Sequence, residues 1–170
     1  EEMARVEAQL ADGIDFVIVA TPNHLHVPVA RAFLAAGIHV MCEKPLARTL
    51  EEGRELATAV RDSGRLFGLT HTYAGYPAVQ EARALVEAGR LGEIRKVHVE
   101  YLQDWLMEPL EATGQRQSAW RTDPARSGAG GALGDIGTHA HHLAEFISGQ
   151  VVEAVSADVT HFVAGRRLDD

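Results

Sequence analysis

The residue types best suited to chemistry gather late in the chain. Asp135, His139 and His142 stand at i, i+4 and i+7, which puts a carboxylate and two imidazoles on one face of a helix. An imidazole titrates near neutral pH and can take or give a proton. A carboxylate one turn earlier can orient that ring or bind a substrate hydroxyl. Ile136, Ala140, Leu143 and Ile147 share another face, apolar and open to burial. Glycines at 128, 130, 131, 134 and 137 precede or open the helix and let a backbone approach a ligand closely. Two other readings use the same residues. One is a core helix with solvated polar side chains; the other is a metal set of Asp135, His139 and His142, since carboxylates and imidazoles on helices hold divalent ions.

Something must position that helix. Residues 1–11 read as the end of a helix, with Met3, Val6 and Leu10 at helical spacing. Phe16-Val17-Ile18-Val19-Ala20 is a wholly apolar run, the pattern of a parallel strand buried on both faces. Thr21-Pro22-Asn23 ends it, and a helix from about Val27 to Ala36 stops at Gly37. His39-Val40-Met41-Cys42 is the next strand, broken by Glu43-Lys44-Pro45. Thr49 and Glu52 make a capping box for a helix reaching about Asp62. Leu66 to Thr70 is a third strand. Strands separated by single helices predict βαβ units, hence a parallel sheet with its ligand beyond the strand carboxyl ends. Those ends are Thr21-Pro22-Asn23, Glu43-Lys44-Pro45 and His71-Thr72-Tyr73.

The pattern then changes. A helix from Pro77 to Ala88 leads to Ile94–Gln103, where Val97, Val99 and Tyr101 alternate with polar residues as in a strand with one wet face. Residues 104–127 lack periodicity, and a connection of that length points to function. Val151, Val155, Val159 and Val163 predict one face of a long strand. A boundary is expected near 72–76, dividing a parallel α/β part, residues 1–74, from an α+β part, residues 75–170.

A net charge of −8, from 16 basic and 24 acidic residues, argues against nucleic acid as a partner. No apolar run approaches the ~20 residues of a membrane span, so no membrane partner is expected. The single cysteine, Cys42, excludes an internal disulfide and fits a reducing compartment, with the cytoplasm as the expected location. As a nucleophile Cys42 has no base in its sequence context; a small buried thiol on a core strand is the simpler reading.

Three signatures stand in order: Thr21-Pro22-Asn23-x-x-His26; Glu43-Lys44-Pro45-Leu46 closing a strand; and Gly-Gly-Ala-Leu-Gly-Asp-Ile-Gly-Thr-His over 130–139. Together they resemble the glucose–fructose oxidoreductase/inositol dehydrogenase (Gfo/Idh/MocA) family of NAD(P)-dependent oxidoreductases, along the whole chain. The resemblance implies a Rossmann domain followed by an α+β domain with a large, mainly antiparallel open sheet, and an active site between them. It implies hydride transfer between NAD or NADP and a hydroxyl or ketone of a sugar, inositol or related polyol. By the same resemblance Thr21, Pro22, Asn23 and His26 lie along the cofactor and Glu43 contacts its nicotinamide ribose. Lys44 faces both cofactor and the reacting hydroxyl, and Asp135 and His139 form the catalytic pair. The family's glycine-rich dinucleotide turn is expected upstream of Glu1, so the chain resembles a family member truncated at both ends.

Such a reaction needs a proton acceptor and stabilisation of a developing alkoxide. His139 suits the first and the Lys44 ammonium the second. Trp120 and Arg121 are expected at substrate, Trp120 by stacking on a sugar ring, or else as pins for the long loop; His142 is expected to contact substrate, while His141 points away. The chain departs from the family where substrate is read. Thr72-Tyr73-Ala74 replaces an Asn-Tyr-Arg-like run, and His142 stands where Asp is frequent. No bound metal is expected, and the large sheet face predicts a homodimer or homotetramer. The rival functions are a non-catalytic sugar- or nucleotide-binding regulatory protein on the same scaffold, and a metal-dependent lyase or epimerase.

Overall fold

The computed structural model describes residues Glu1–Asp170. Its first part alternates helix and strand: α1 (Glu2–Glu7), β1 (Phe16–Val19), α2 (His26–Ala35), β2 (His39–Glu43), α3 (Leu50–Ser63) and β3 (Phe67–Thr70). The sheet is parallel in the order β1-β2-β3, with Phe16 opposite His39, Val19 opposite Cys42 and Glu43 opposite Thr70. That register brings the carboxyl ends of all three strands to one edge. The expected βαβ architecture is therefore present.

Local chemistry sets the helix limits. Thr49 Oγ1 accepts the Glu52 amide at 3.1 Å, one half of the expected capping box. The other half differs: the Glu52 carboxylate reaches past Thr49 to the Arg48 amide at 3.0 Å and to its guanidinium. Gly64, at φ +62, turns the chain out of α3 through the left-handed conformation that costs glycine least.

Period-2 geometry decides which strand residues are buried. Val19, Val40 and Cys42 pack with Val27, Ala30, Phe33 and Leu34 of α2 and Leu56 of α3, and Ala4 and Ile38 close this core. The opposite face is not covered as the apolar runs predict. Phe16 is 56%, Ile18 58% and Met41 44% exposed, because among these residues α2 and α3 both lie against the other side.

The second part comprises α4 (Pro77–Glu87), α5 (Arg116–Arg121), α6 (Pro124–Ser127), a π-helical turn over Leu133–Gly137 and α7 (Thr138–Ser148). Helices α4 and α7 pack together, and α7 also meets the short turn Thr72–Gly75 that follows β3. The two strands expected over Ile94–Gln103 and Val151–Val163 do not form: both segments are without ladder partners, and Val151, Val155 and Val159 are exposed. Alternation encodes which face is apolar, but a strand exists only where another backbone accepts its hydrogen bonds. The architecture is thus α/β with a small parallel sheet and packed helices. No helix is long and apolar enough to cross a membrane.

Candidate active site

The strand ends and the glycine-rich turn meet at Lys44 and Asp135. Lys44 leaves the end of β2, and its Nζ donates to Asp135 Oδ1 at 2.7 Å and to the Asp135 carbonyl at 2.6 Å. The second oxygen of that carboxylate accepts from Arg121 Nε at 3.2 Å. Asp135 therefore lies between two cations supplied by β2 and α5. An ammonium has three N–H donors, so the two aimed at Asp135 leave one for a third acceptor.

The π-turn explains how Asp135 and His139 serve one site. A π-turn adds a residue to the helical repeat and re-aims side chains, a device frequent at functional sites. Gly137 leaves room beside it for the Leu133 side chain, whose Cδ1 would lie 2.7 Å from a Cβ at that position. Beyond the turn, His139 is the one buried residue of α7. The apolar set Ile136, Ala140, Leu143 and Ile147, expected to be buried, is only partly covered.

His139 sits among aromatic rings. Its centroid lies 4.6 Å from Tyr73 and 6.0 Å from His71, and His71 stacks on His142 at 3.9 Å. Burial and then the Lys44 ammonium hold the His139 imidazole below its ordinary value, against the opposing pull of Asp135 and Glu43. His71 is pushed down to about 4, by burial and then by His142, His139 and Lys44. His142 is lowered by burial and then by His141. All three rings are thus biased to the neutral form. Tyr73 and Tyr101 share a hydrogen bond between hydroxyls at 2.6 Å, which raises Tyr73 to about 12.

A cavity of about 580 Å³ opens at the Lys44–Asp135 junction, and its lining includes neither His139 nor His142. Thr21, Pro22, Asn23, Glu43 and Lys44 line one part of it, and Trp120, Arg121, Arg126 and Asp135 another. Thr21 Oγ1 is buried without a hydrogen-bond partner. A mixed donor and acceptor wall with an unpaired buried hydroxyl fits a polyhydroxylated or nucleotide ligand. A second cavity, about 550 Å³ and more apolar, touches this site through Arg121 and Asp135.

The remaining expected residues divide by placement. Trp120 lines the cavity with the Arg121 guanidinium over its ring at 4.2 Å, while the Arg121 Nε is committed to Asp135. Asn23 is buried and its side-chain amide donates to the Ser127 carbonyl at 2.8 Å, which clasps the loop preceding the glycines to the end of β1. His26 is 1% exposed and has both ring nitrogens against carbonyl oxygens, so it lies inside the fold and off the cavity wall. His141 points away, 56% exposed. Burial, then Glu43, pushes the Cys42 thiol up to about 12, which keeps it protonated and unreactive. Sequence reasoning missed His71, Tyr73 and Tyr101 as members of the cluster. The signal available was position, since His71 and Tyr73 directly follow β3 at the ligand edge of the sheet.

A parallel βαβ sheet with polar groups gathered beyond its strand ends defines a protein of the nucleotide-binding α/β class. Residues 1–71 match the oxidoreductase family with an NAD-binding Rossmann fold, and residues 79–170 match the GFO/IDH/MocA C-terminal domain. The chain belongs to the Gfo/Idh/MocA oxidoreductase family. It is 35% identical over 167 residues to the uncharacterized oxidoreductase YfiI of Bacillus subtilis, covering 98% of this chain and 42% of that protein. It is 39% identical over 155 residues to the levoglucosan dehydrogenase of Pseudarthrobacter phenanthrenivorans, covering 91% and 38%. Among solved structures, an inositol dehydrogenase homolog complexed with NAD+ from Azotobacter vinelandii superposes with a TM-score of 0.80 at 43% identity, over 85% of this chain and 37% of that one. An oxidoreductase from Sinorhizobium meliloti gives 0.82 at 45% identity, over 99% and 42%. The chain spans about two fifths of the length of these relatives.

Proposed function

We propose that this chain carries the reacting centre of an NAD(P)-dependent oxidoreductase, one that moves a hydride between a nicotinamide and a hydroxyl or ketone of a sugar, inositol or related polyol. The observation that carries the reading is the junction of Lys44, Asp135 and Arg121 beside His139, at the carboxyl edge of a Rossmann-type sheet. Relatives named as a levoglucosan dehydrogenase, a D-xylose dehydrogenase and an inositol dehydrogenase homolog with NAD+ support it.

The residues present fit the nicotinamide half of such a cofactor. The Glu43 carboxylate suits ribose hydroxyls, the unpaired Thr21 hydroxyl offers a further contact, and Arg126 supplies charge for phosphate. The dinucleotide, when bound, supplies the hydride acceptor or donor. In the oxidising direction His139, held neutral, takes the hydroxyl proton. Lys44 turns its remaining N–H towards the developing alkoxide and stabilises it. Asp135 holds the ammonium in place and is itself held by Arg121, which leaves the trio with a net charge of +1 beside the developing alkoxide. In reduction the same groups run in reverse, with His139 returning the proton.

Trp120 stacks on a sugar ring face, and His142, paired with His71, meets the substrate. The alternative metal-dependent reading loses support because both Asp135 oxygens face cations. We further propose a domain boundary near residues 72–76, between the two matched family regions. Although the 94–103 and 151–163 segments have no ladder partners here, their alternation supports an open, mainly antiparallel sheet for them in the full-length protein, as a cytoplasmic homodimer or homotetramer. The test is spectrophotometric: the full-length protein is incubated with NAD+ or NADP+ and a panel of sugars and cyclitols, and reduced cofactor is followed. No turnover with any polyol, in either direction, refutes the proposal.

A further inference from the structure

His26 opens α2, is 1% exposed and makes no contact with the cavity, yet it touches both loops that line it. Its Nε2 lies 2.8 Å from the Thr21 carbonyl and its Nδ1 2.8 Å from the Pro45 carbonyl. Thr21 and Pro45 occupy matching places, each two residues past its strand, β1 ending at Val19 and β2 at Glu43. Carbonyls only accept, so a neutral ring donates from one nitrogen and packs the other against the second carbonyl, spanning equivalent points on adjacent strand-end loops. Lys44 directly precedes Pro45, and its ammonium must reach Asp135 across the site, 91 residues away in sequence. A long, flexible lysine chain is aimed by its backbone origin as much as by its partner. Backbone ladder bonds end with β2, so beyond Glu43 another group has to fix that origin.

We infer that His26 is a positioning residue for Lys44: by bridging the Thr21 and Pro45 carbonyls it fixes the spacing of the two strand-end loops and the place from which the ammonium meets Asp135 and the reacting oxygen. This rests on the oxidoreductase reading for its kinetic consequence, and on geometry alone for its effect on Lys44. Buried polar rings with fixed partners are the usual means of holding a reacting group to within the tolerance catalysis needs. A displacement of about 1 Å at such a group costs on the order of 100-fold in rate.

The experiment uses two variants of the full-length protein. H26F keeps a flat ring and removes its N–H donor; H26Q keeps an amide able to donate to a carbonyl. The first readout is reductive methylation of lysine with formaldehyde, mapped by mass spectrometry without cofactor. Lys44 and Lys96 are the two lysines of these 170 residues. Lys96 is exposed and serves as the internal standard. H26F is expected to speed labelling of Lys44 relative to Lys96 by about 10-fold, as its hold on Asp135 loosens, and H26Q by less than about threefold. The second readout is a double-mutant cycle. H26F should lower kcat by about 10- to 100-fold in the wild-type background and by less than about twofold in K44A, because its effect passes through Lys44. Additive losses, or unchanged Lys44 labelling in H26F, overturn the inference. If H26F does not fold, H26A is read the same way: Lys44 labelling within about twofold of wild type overturns the inference, and a rise of about 10-fold upholds it. Failure of the wild-type protein to oxidise any polyol sinks the functional reading, while the labelling arm still decides the role of His26.

Discussion

Replacing Asp135 by Asn keeps the size of the side chain and removes its charge, which leaves Lys44 and Arg121 facing one another uncompensated. The side chains of Lys44, Asp135 and Arg121 are 13%, 23% and 26% exposed. Breaking a fully buried ion pair costs about 3–5 kcal/mol, and losing an exposed one about 0.2–1 kcal/mol. Three groups about four-fifths covered fall between these limits, so D135N should lose about 2–3 kcal/mol. For a chain of this size that is a fall of about 5–10 °C in Tm. Asn can still accept from Lys44, but its amide turns a donor towards Arg121, so part of the loss is donor–donor repulsion. Removing Lys44 as well should recover part of it, and the D135N/K44M pair should therefore be non-additive in the stabilising direction. Thermal melts at neutral pH and low salt would read both effects. A D135N protein melting within about 1 °C of wild type would show that the three side chains are not held together in solution.

Single alanine substitutions at Lys44 and His139 should each lower kcat by about 10²- to 10⁴-fold with little change in KM, while H141A should cost little; steady-state kinetics checks all three. Acid stability should reflect His71: its folded pKa of about 4 lies below the ordinary 6.5, so the folded state binds fewer protons and stability falls as pH drops from 6.5 through 4. Screening at a half-buried site reduces the loss to about 1–2 kcal/mol, and chemical denaturation across that range should show H71F losing less than wild type. These 170 residues, which hold no glycine-rich dinucleotide turn after β1, should bind NAD(H) only weakly when expressed alone; micromolar affinity by calorimetry would require another mode of phosphate recognition.

The first half was readable from local rules. Apolar runs, a Thr49 cap and glycine stops located three strands and their helices within a residue or two, because each signal acts over a few neighbouring positions. What failed required partners. The 94–103 and 151–163 segments carry strand alternation, and nothing in their own residues says which backbone they pair with. Phe16 and Ile18 were expected inside for the same reason: an apolar side chain does not encode which of two faces a helix will cover. In the site, the ordering of Lys44, Asp135 and His139 was legible as a motif. The contact of Arg121 with Asp135 and the stacking of His71 on His142 were not, since both arise between segments distant in sequence. The inward placement of His26 reflects a competition that a motif does not show, because a polar side chain beside a cavity turns inward where carbonyls stand unpaired.

The Lys44–Asp135 contact also has a temporal consequence. It joins residues 91 apart, and the first partner belongs to a sheet whose strands are linked locally, while the second rides on a turn that follows a long irregular connection. Closing so long a loop is slow relative to forming a βαβ unit. The sheet can therefore be complete while the proposed reacting centre does not yet exist. Local opening of the α5-to-α7 region would part Lys44 from Asp135 while leaving the sheet intact, so on the proposed function loss of activity would precede loss of fold on heating.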